Sequence, residues 1–201
     1  MKVLMINGSP HENGCTATAL SEVGAILKNE GIEVINYWIG KAAVHGCVAC
    51  GACKKGGGCA FDDDVNYIGS MLPTIDAIVI GSPVYYAGPN GALCALLDRL
   101  FYSHGSRMAG KIGACVVSCR RGGASAAFDR LNKYFTISNM PVATSQYWNQ
   151  VHGNTAEEVL RDEEGMQTMR TLGRNIFWML NGMKRDLIPT PEPKIRTNFI
   201  R

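Results

Sequence analysis

Apolar residues in this chain fall into short unbroken runs, separated by polar loops and by segments with three- and four-residue spacing. The first run, Lys2–Asn7, ends at Gly8 as a buried parallel strand should. Ala17, Leu20, Gly24 and Leu27 then recur at helical steps, and Gly31 closes that helix. Residues 32–39 alternate Ile32, Val34 and Trp38 with Ile35 and Ile39, which predicts a second strand. Asp62, Asp63 and Asp64 suit the start of a helix running to about Leu72, and Pro73 ends it. Residues 75–80 form the clearest buried strand. A helix over 90–102 follows, with Leu93, Leu96, Leu97 and Leu100 inward. Residues 111–118 predict a fourth strand, Ala124–Ile137 a helix carrying Phe128, Leu131 and Phe135, and 142–151 a fifth, weakly patterned strand. From 156 to 185 the pattern is helical, with Met169, Leu172, Ile176, Leu180 and Met183 on one stripe.

Strands alternating with helices imply an α/β fold: a five-stranded parallel sheet covered on both faces, a three-layer sandwich. Right-handed crossovers then place a ligand outside the carboxyl ends of the strands. Neither internal repeats nor a linker interrupt the chain, so residues 1–201 read as one domain, with a cysteine-rich insertion loop at 45–61. The tail 186–201 contains Pro189, Pro191 and Pro193, which exclude a helix there; it is expected along the surface or against a neighbouring subunit.

Composition narrows the class. With 46% hydrophobic and 18% charged residues the chain reads as globular, and no apolar run approaches the roughly 20 residues of a membrane span. The first apolar run is too short for a signal-peptide core, which points to the cytoplasm. Net charge is only +3 and the basic pairs Lys54-Lys55, Arg120-Arg121 and Lys184-Arg185 are scattered, which argues against nucleic acid.

Three strand-end loops carry candidate chemistry. Gly8-Ser9-Pro10-His11-Glu12-Asn13-Gly14-Cys15-Thr16 lacks both the lysine of a nucleoside-triphosphate loop and the dinucleotide glycine fingerprint. It nonetheless offers hydroxyls at Ser9 and Thr16, backbone N–H groups and a helix N-terminus, enough for a monophosphate. An ordinary turn capped by Ser or Thr fits the same residues. In Gly81-Ser82-Pro83-Val84-Tyr85-Tyr86 two tyrosines could flank a planar ring; alternatively one packs inward and the other is merely exposed. Ser118-Cys119-Arg120-Arg121-Gly122-Gly123 has donors for a reduced ring or a phosphate-bearing donor, or else a solvated arginine pair. His45 and His104 have no visible partner and read as surface or packing residues.

Cys47, Cys50, Cys53 and Cys59 place half of the chain's eight cysteines within thirteen positions. In a reducing compartment such clustering means metal or redox chemistry rather than disulfides. Gly56-Gly57-Gly58 lets Cys59 fold back on the other three, which suits an iron–sulfur cluster. Zinc and metal-free thiols remain alternatives, zinc less well matched because structural zinc sites separate their cysteines into pairs. Cys94 and Cys115 lie in apolar segments and read as inert; Cys119 stands at a strand end.

Gly8-Ser9-Pro10-x-x-Asn13-Gly14-x-Thr16, the aspartates after Cys59, and Gly81-Ser82-Pro83-Val84-Tyr85-Tyr86 resemble the NADPH-dependent FMN reductase group of flavodoxin-like proteins, and the cysteine tetrad resembles its iron–sulfur flavoprotein branch. The resemblance implies strand order 2-1-3-4-5, FMN and a [4Fe–4S] cluster held by Cys47, Cys50, Cys53 and Cys59. It places Ser9, His11, Asn13, Cys15 and Thr16 in the FMN phosphate loop, where His11 and Cys15 replace the commoner Arg and Asn. Pro83, Val84, Tyr85, Tyr86, Ser118, Cys119, Arg120, Gly122 and Gly123 fall around the ring. It further implies NAD(P)H or a ferredoxin-type donor, an acceptor such as a quinone, free flavin or oxygen species, and a homodimer or homotetramer. Two other readings are a cluster-free flavin or quinone reductase and a zinc- or thiol-based redox-sensing module.

Overall fold

Alternation within the first strand sets the layers. β1 (Lys2–Asn7) sends Val3 and Met5 to one face and Leu4 and Ile6 to the other, and all four are buried. A strand of that kind belongs in the middle of a doubly covered sheet. It pairs in parallel with β2 (Glu33–Trp38) and with β3 (Ala77–Tyr85). β3 turns back into a two-residue antiparallel strand, β4 (Gly88–Pro89). β5 (Ile112–Cys119) joins β3, and β6 (Gln150–His152) joins β5, so the parallel order is β2-β1-β3-β5-β6. The computed structural model describes residues 1–183, 187–189 and 192–193.

Helices supply the outer layers. α1 (Cys15–Asn29) buries Ala19, Leu20, Val23 and Leu27 against Val3 and Met5. On the opposite face lie α2 (Asp64–Met71), α3 (Gly91–His104) and α4 (Ala124–Ile137). α5 (Ala156–Leu160) and α6 (Glu163–Gly182) complete the first face. Each fully buried Leu or Ile contributes about 1.5–3 kcal/mol, so these stripes outweigh helix propensity. Asn90 starts α3 by accepting from the Ala92 and Leu93 amides at 2.7 and 3.4 Å. Asp63 starts α2 by accepting from Val65 N at 3.2 Å. Where β1 and β3 emerge, Gly8 N donates to Gly81 O at 2.8 Å. A Cβ on Gly8 would stand 2.9 Å from that oxygen, and one on Gly81 would stand 2.7 Å from Leu20 Cδ1 and 2.8 Å from Thr16 Cγ2, so both positions need glycine.

The five expected parallel strands appear in the expected order, with β4 as an addition. β3 runs five residues past the expected end at Ile80, so Gly81–Tyr85 is strand and only Tyr86 and Ala87 form the turn. The fifth strand covers only Gln150–His152; Val142 makes an isolated bridge to Gly113. The single helix expected over 156–185 is two. Asp162 breaks it because its carboxylate is needed elsewhere, accepting from Gly165 N at 3.0 Å and His152 N at 2.7 Å. Met183 caps α6 instead of extending its stripe, and Lys184, Arg185 and most of the tail lie outside the described residues. Among the described residues no helix is long and apolar enough to cross a membrane.

Candidate functional site

The loop after β1 is folded by its own side chains. Asn7 accepts from Ser9 N at 3.0 Å and donates to the Glu12 carbonyl at 3.1 Å. Ser9 Oγ accepts from His11 N at 3.1 Å, and the Trp38 indole donates to Ser9 O at 2.7 Å. Neither hydroxyl caps the helix that follows. Thr16 Oγ1 lies 2.8 Å from Ser118 Oγ, and the N-cap of α1 is Gly14, which has no side chain to offer. The first turn also lacks an acidic residue, so its orphan amides and positive dipole end face the loop uncompensated. The ordinary Ser/Thr-capped turn is thereby excluded. His11 and Asn13 are exposed; Cys15 donates its thiol to Gly153 O at 3.6 Å, and burial raises that thiol's pKa.

The other two loops close against the first. Ser82 Oγ accepts from Asn90 N at 3.0 Å and donates to Pro83 O at 2.9 Å, fixing the base of the β3–β4 hairpin. Tyr86 and Ala87 turn it with φ of 50° and 59°, the left-handed pair a two-residue hairpin demands. Neither is glycine, and such residues cost on the order of 1–3 kcal/mol each, a strain concentrated at binding sites. Tyr86 is fully exposed and Tyr85 about half, so neither ring packs inward. Pro83 and Val84 are half-buried behind them. Gly123, at φ 92°, starts α4 without a side-chain cap, and a Cβ there would meet Ala87 Cα at 2.8 Å. Ser118 and Cys119 are buried at the end of β5, while Arg120, Arg121 and Gly122 are exposed. Cys119 donates to Arg121 O at 3.6 Å and burial raises its pKa, so it is no ready thiolate. The Thr16–Ser118 and Gly8–Gly81 hydrogen bonds, with the close approach of Gly123 to Ala87, thus bring the three loops into one rim.

The cysteine segment makes a second centre. Cys47, Cys50, Cys53 and Cys59 line one cavity of about 320 Å³ with Phe61 and Arg99. The chain reaches this shape through a 3-10 turn at Ala52–Lys55 and left-handed residues at Ala49, Gly51, Gly56 and Gly58. Cys47 and Cys50 are exposed; Cys53 and Cys59 are half-buried. Among the described residues no three His, Cys, Asp or Glu side chains are grouped closely enough to hold one metal ion. The sulfurs surround a space rather than converge on a point. Asn66 accepts from Cys59 N at 2.8 Å and donates to Cys59 O at 2.9 Å. Arg99, buried on α3, donates to Cys59 Sγ and forks onto Asp63, both oxygens at 2.7 Å. That fork holds the Asp63 carboxyl below its usual range. Residue 99 is eight positions into α3, so this cavity stands about 12 Å along the helix from the rim.

Sequence reasoning missed Arg99, Asn66 and Trp38. For Arg99 a signal existed: a cation inside the apolar run Leu96, Leu97, Leu100 must find a partner. His45 stacks on Phe61 at 4.9 Å, and His104 is buried within 3.4 Å of Asn66 Oδ1. Burial lowers the His104 pKa, with Arg107 adding to the shift. Its contribution to stability is complete above about pH 6.5 and is lost as pH falls through the lowered value. Thermal unfolding at pH 7 and pH 5 is expected to show a larger drop for the native protein than for His104→Gln; equal drops would contradict it. A larger cavity of about 790 Å³, lined by Gly110, Thr136, Asn139 and Pro141, lies at the amino end of β5, remote from both centres.

Comparison with known proteins places the chain in a family. The sequence profile of the NADPH-dependent FMN reductase family matches residues 1–155. An iron–sulfur flavoprotein of Methanocaldococcus jannaschii is 30% identical over 193 residues, covering 92% of this chain and 100% of its own. One from Methanosarcina thermophila is 29% identical over 191 residues, covering 92% and 98%. Among solved structures, RosB with a bound 8-demethyl-8-formylriboflavin-5'-phosphate superposes with a TM-score of 0.74 at 12% identity, over 100% of this chain and 92% of its own. An archaeal flavodoxin superposes with 0.61 at 16% identity, over 90% and 99%. At such identities these two structures establish the fold alone. With a flavodoxin-like sheet and a family profile spanning its first 155 residues, the chain belongs to the NADPH-dependent FMN reductase family.

Proposed function

We propose that this protein is an FMN-dependent oxidoreductase whose four clustered cysteines hold a [4Fe–4S] cluster. The observation that carries the reading is the uncapped N-terminus of α1, enclosed by a loop without a lysine. A monophosphate dianion fits such a place, since backbone N–H groups and the dipole supply what a lysine otherwise would. Ser9 and Asn13 would orient the phosphate, Thr16 would brace the loop through its hydroxyl contact with Ser118, and His11 and Cys15 would stand at the loop's edge. Pro83, Val84, Tyr85 and Tyr86 would bound one side of the ring, and Ser118, Cys119, Arg120, Gly122 and Gly123 the other. The uncapped start of α4 would favour negative charge on a reduced ring.

The cysteine cavity fits a cluster on donor chemistry, since four thiols of one segment line it. Zinc needs four sulfurs about 2.3 Å from one centre, and among the described residues no three such side chains are grouped closely enough to hold one metal ion. When bound, the flavin transfers hydride or single electrons and the cluster transfers one electron at a time. The residues of this chain hold the two groups apart and oriented. We further propose NAD(P)H or a ferredoxin-type protein as donor, a quinone, flavin or oxygen species as acceptor, a homodimer or homotetramer, and residence in the cytoplasm. Anaerobic mixing of the FMN-loaded protein with NADPH, NADH or reduced ferredoxin tests the reading. Bleaching of the flavin by at least one of them is expected. Bleaching by dithionite alone would contradict it.

A further inference from the structure

The Arg99 guanidinium has five N–H donors, and all five are spent inside the protein. Nη1 reaches Asp63 Oδ2 at 2.7 Å and His45 O at 3.3 Å; Nη2 reaches Asp63 Oδ1 at 2.7 Å and Cys59 Sγ at 3.2 Å; Nε reaches Cys59 Sγ at 3.3 Å. The side chain is 1% exposed and its guanidinium lies 4.7 Å from the centre of the Phe61 ring. It has no freedom to rotate away. Two donors from a cation aimed at one sulfur are poorly matched to a thiol, which accepts weakly, and well matched to a sulfur carrying charge. Cys59 is fixed from its other side by Asn66, which takes both its backbone N–H and its carbonyl.

We propose that Arg99, locked in place by Asp63, is a positioning residue that sets the reduction potential of the cysteine-held cluster through its N–H···S bonds to Cys59. The inference rests on the cluster reading above. On reduction one electron enters the cluster and no bond to sulfur forms or breaks. The electron comes from the flavin or the external donor, and no proton moves onto Cys59. Negative charge on the ligand sulfur grows, so both hydrogen bonds strengthen and the reduced state gains more than the oxidised one. Hydrogen bonds to sulfur are among the terms that set such potentials. In the native protein Asp63 balances the guanidinium charge, so there the N–H···S bonds carry the shift; without Asp63 the unbalanced charge adds to it.

The test is a redox titration of anaerobically purified protein, following the cluster by paramagnetic resonance and the flavin by absorption. Arg99→Met removes both donors and leaves the Asp63 charge nearby. It is expected to disfavour reduction at least tenfold, a downward shift of about 59 mV for a one-electron couple. Asp63→Asn keeps the helix cap and the arginine but removes the balancing charge, so the potential is expected to rise. Iron, sulfide and the flavin potential should stay at native values in the second variant, which keeps the test open even if the first folds poorly. An unmoved cluster potential in Asp63→Asn, with Arg99→Met either unmoved or stripped of iron, would overturn the role and leave Arg99 a structural residue. Native protein without iron and sulfide would overturn the cluster reading itself, a separate result.

Discussion

Cys59→Ala is expected to lower bound iron at least tenfold, from about four atoms per chain, while FMN stays at native stoichiometry. The expectation follows from how differently the four thiols are held. Cys47 and Cys50 are exposed on a glycine-rich segment, but Cys59 is pinned by Asn66 and Arg99 before any metal arrives. Its loss leaves three thiols and takes away the acceptor of two Arg99 donors, a penalty of about 1–3 kcal/mol. Cys115 is the control. It is fully buried, its thiol pushed well up by desolvation, and Cys115→Ala should leave iron unchanged. Iron and flavin assays on the same anaerobic samples decide the matter. Loss of both cofactors in Cys59→Ala would show that the two centres depend on each other.

The second large effect is expected at Gly14. Gly14→Asp places a carboxylate at the N-cap of α1, where it can bond the amides that a phosphate would use. Gly14 has φ −92° and ψ −164°, a conformation open to any residue, so the backbone is not strained. A Cβ there meets His11 Cβ at 3.0 Å, so the loop backbone at His11 must give by a few tenths of an ångström. Apoprotein stability should change by only a few tenths of a kcal/mol, because Gly is already a tolerable cap. FMN affinity should fall at least a hundredfold. The variant forfeits charge-assisted hydrogen bonds of about 1.5–3 kcal/mol each and adds like-charge repulsion. Fluorescence titration of the apoprotein measures this directly. Unchanged affinity would place the phosphate elsewhere; a large fall in melting temperature would attribute any loss to folding.

The fold was legible wherever burial on both faces left an uninterrupted apolar run. β1 and the helix Ala124–Ile137 sit where the pattern places them, as do the buried leucines of α3. It failed where a tertiary demand overrode local chemistry. Gly81-Ser82-Pro83 looks like a loop, yet β5 pairs with it through Pro83↔Ser118 and keeps it extended. β6 has a single parallel neighbour and three residues, too little to impose a period. Asp162 breaks the last helix in order to hold His152, a partner ten positions away. The site divides in the same way. Loops at strand ends and a cysteine tetrad can be seen in a linear chain. That Thr16 turns to Ser118 instead of capping α1, and that Arg99 turns inward to Cys59, depends on neighbours brought from 102 and 40 positions away.

The most direct measurement is the composition of the protein purified without oxygen. The account predicts one FMN per chain together with about four iron and four sulfide. Zinc in place of iron, with a flavin site that stays empty when FMN is added, would contradict it.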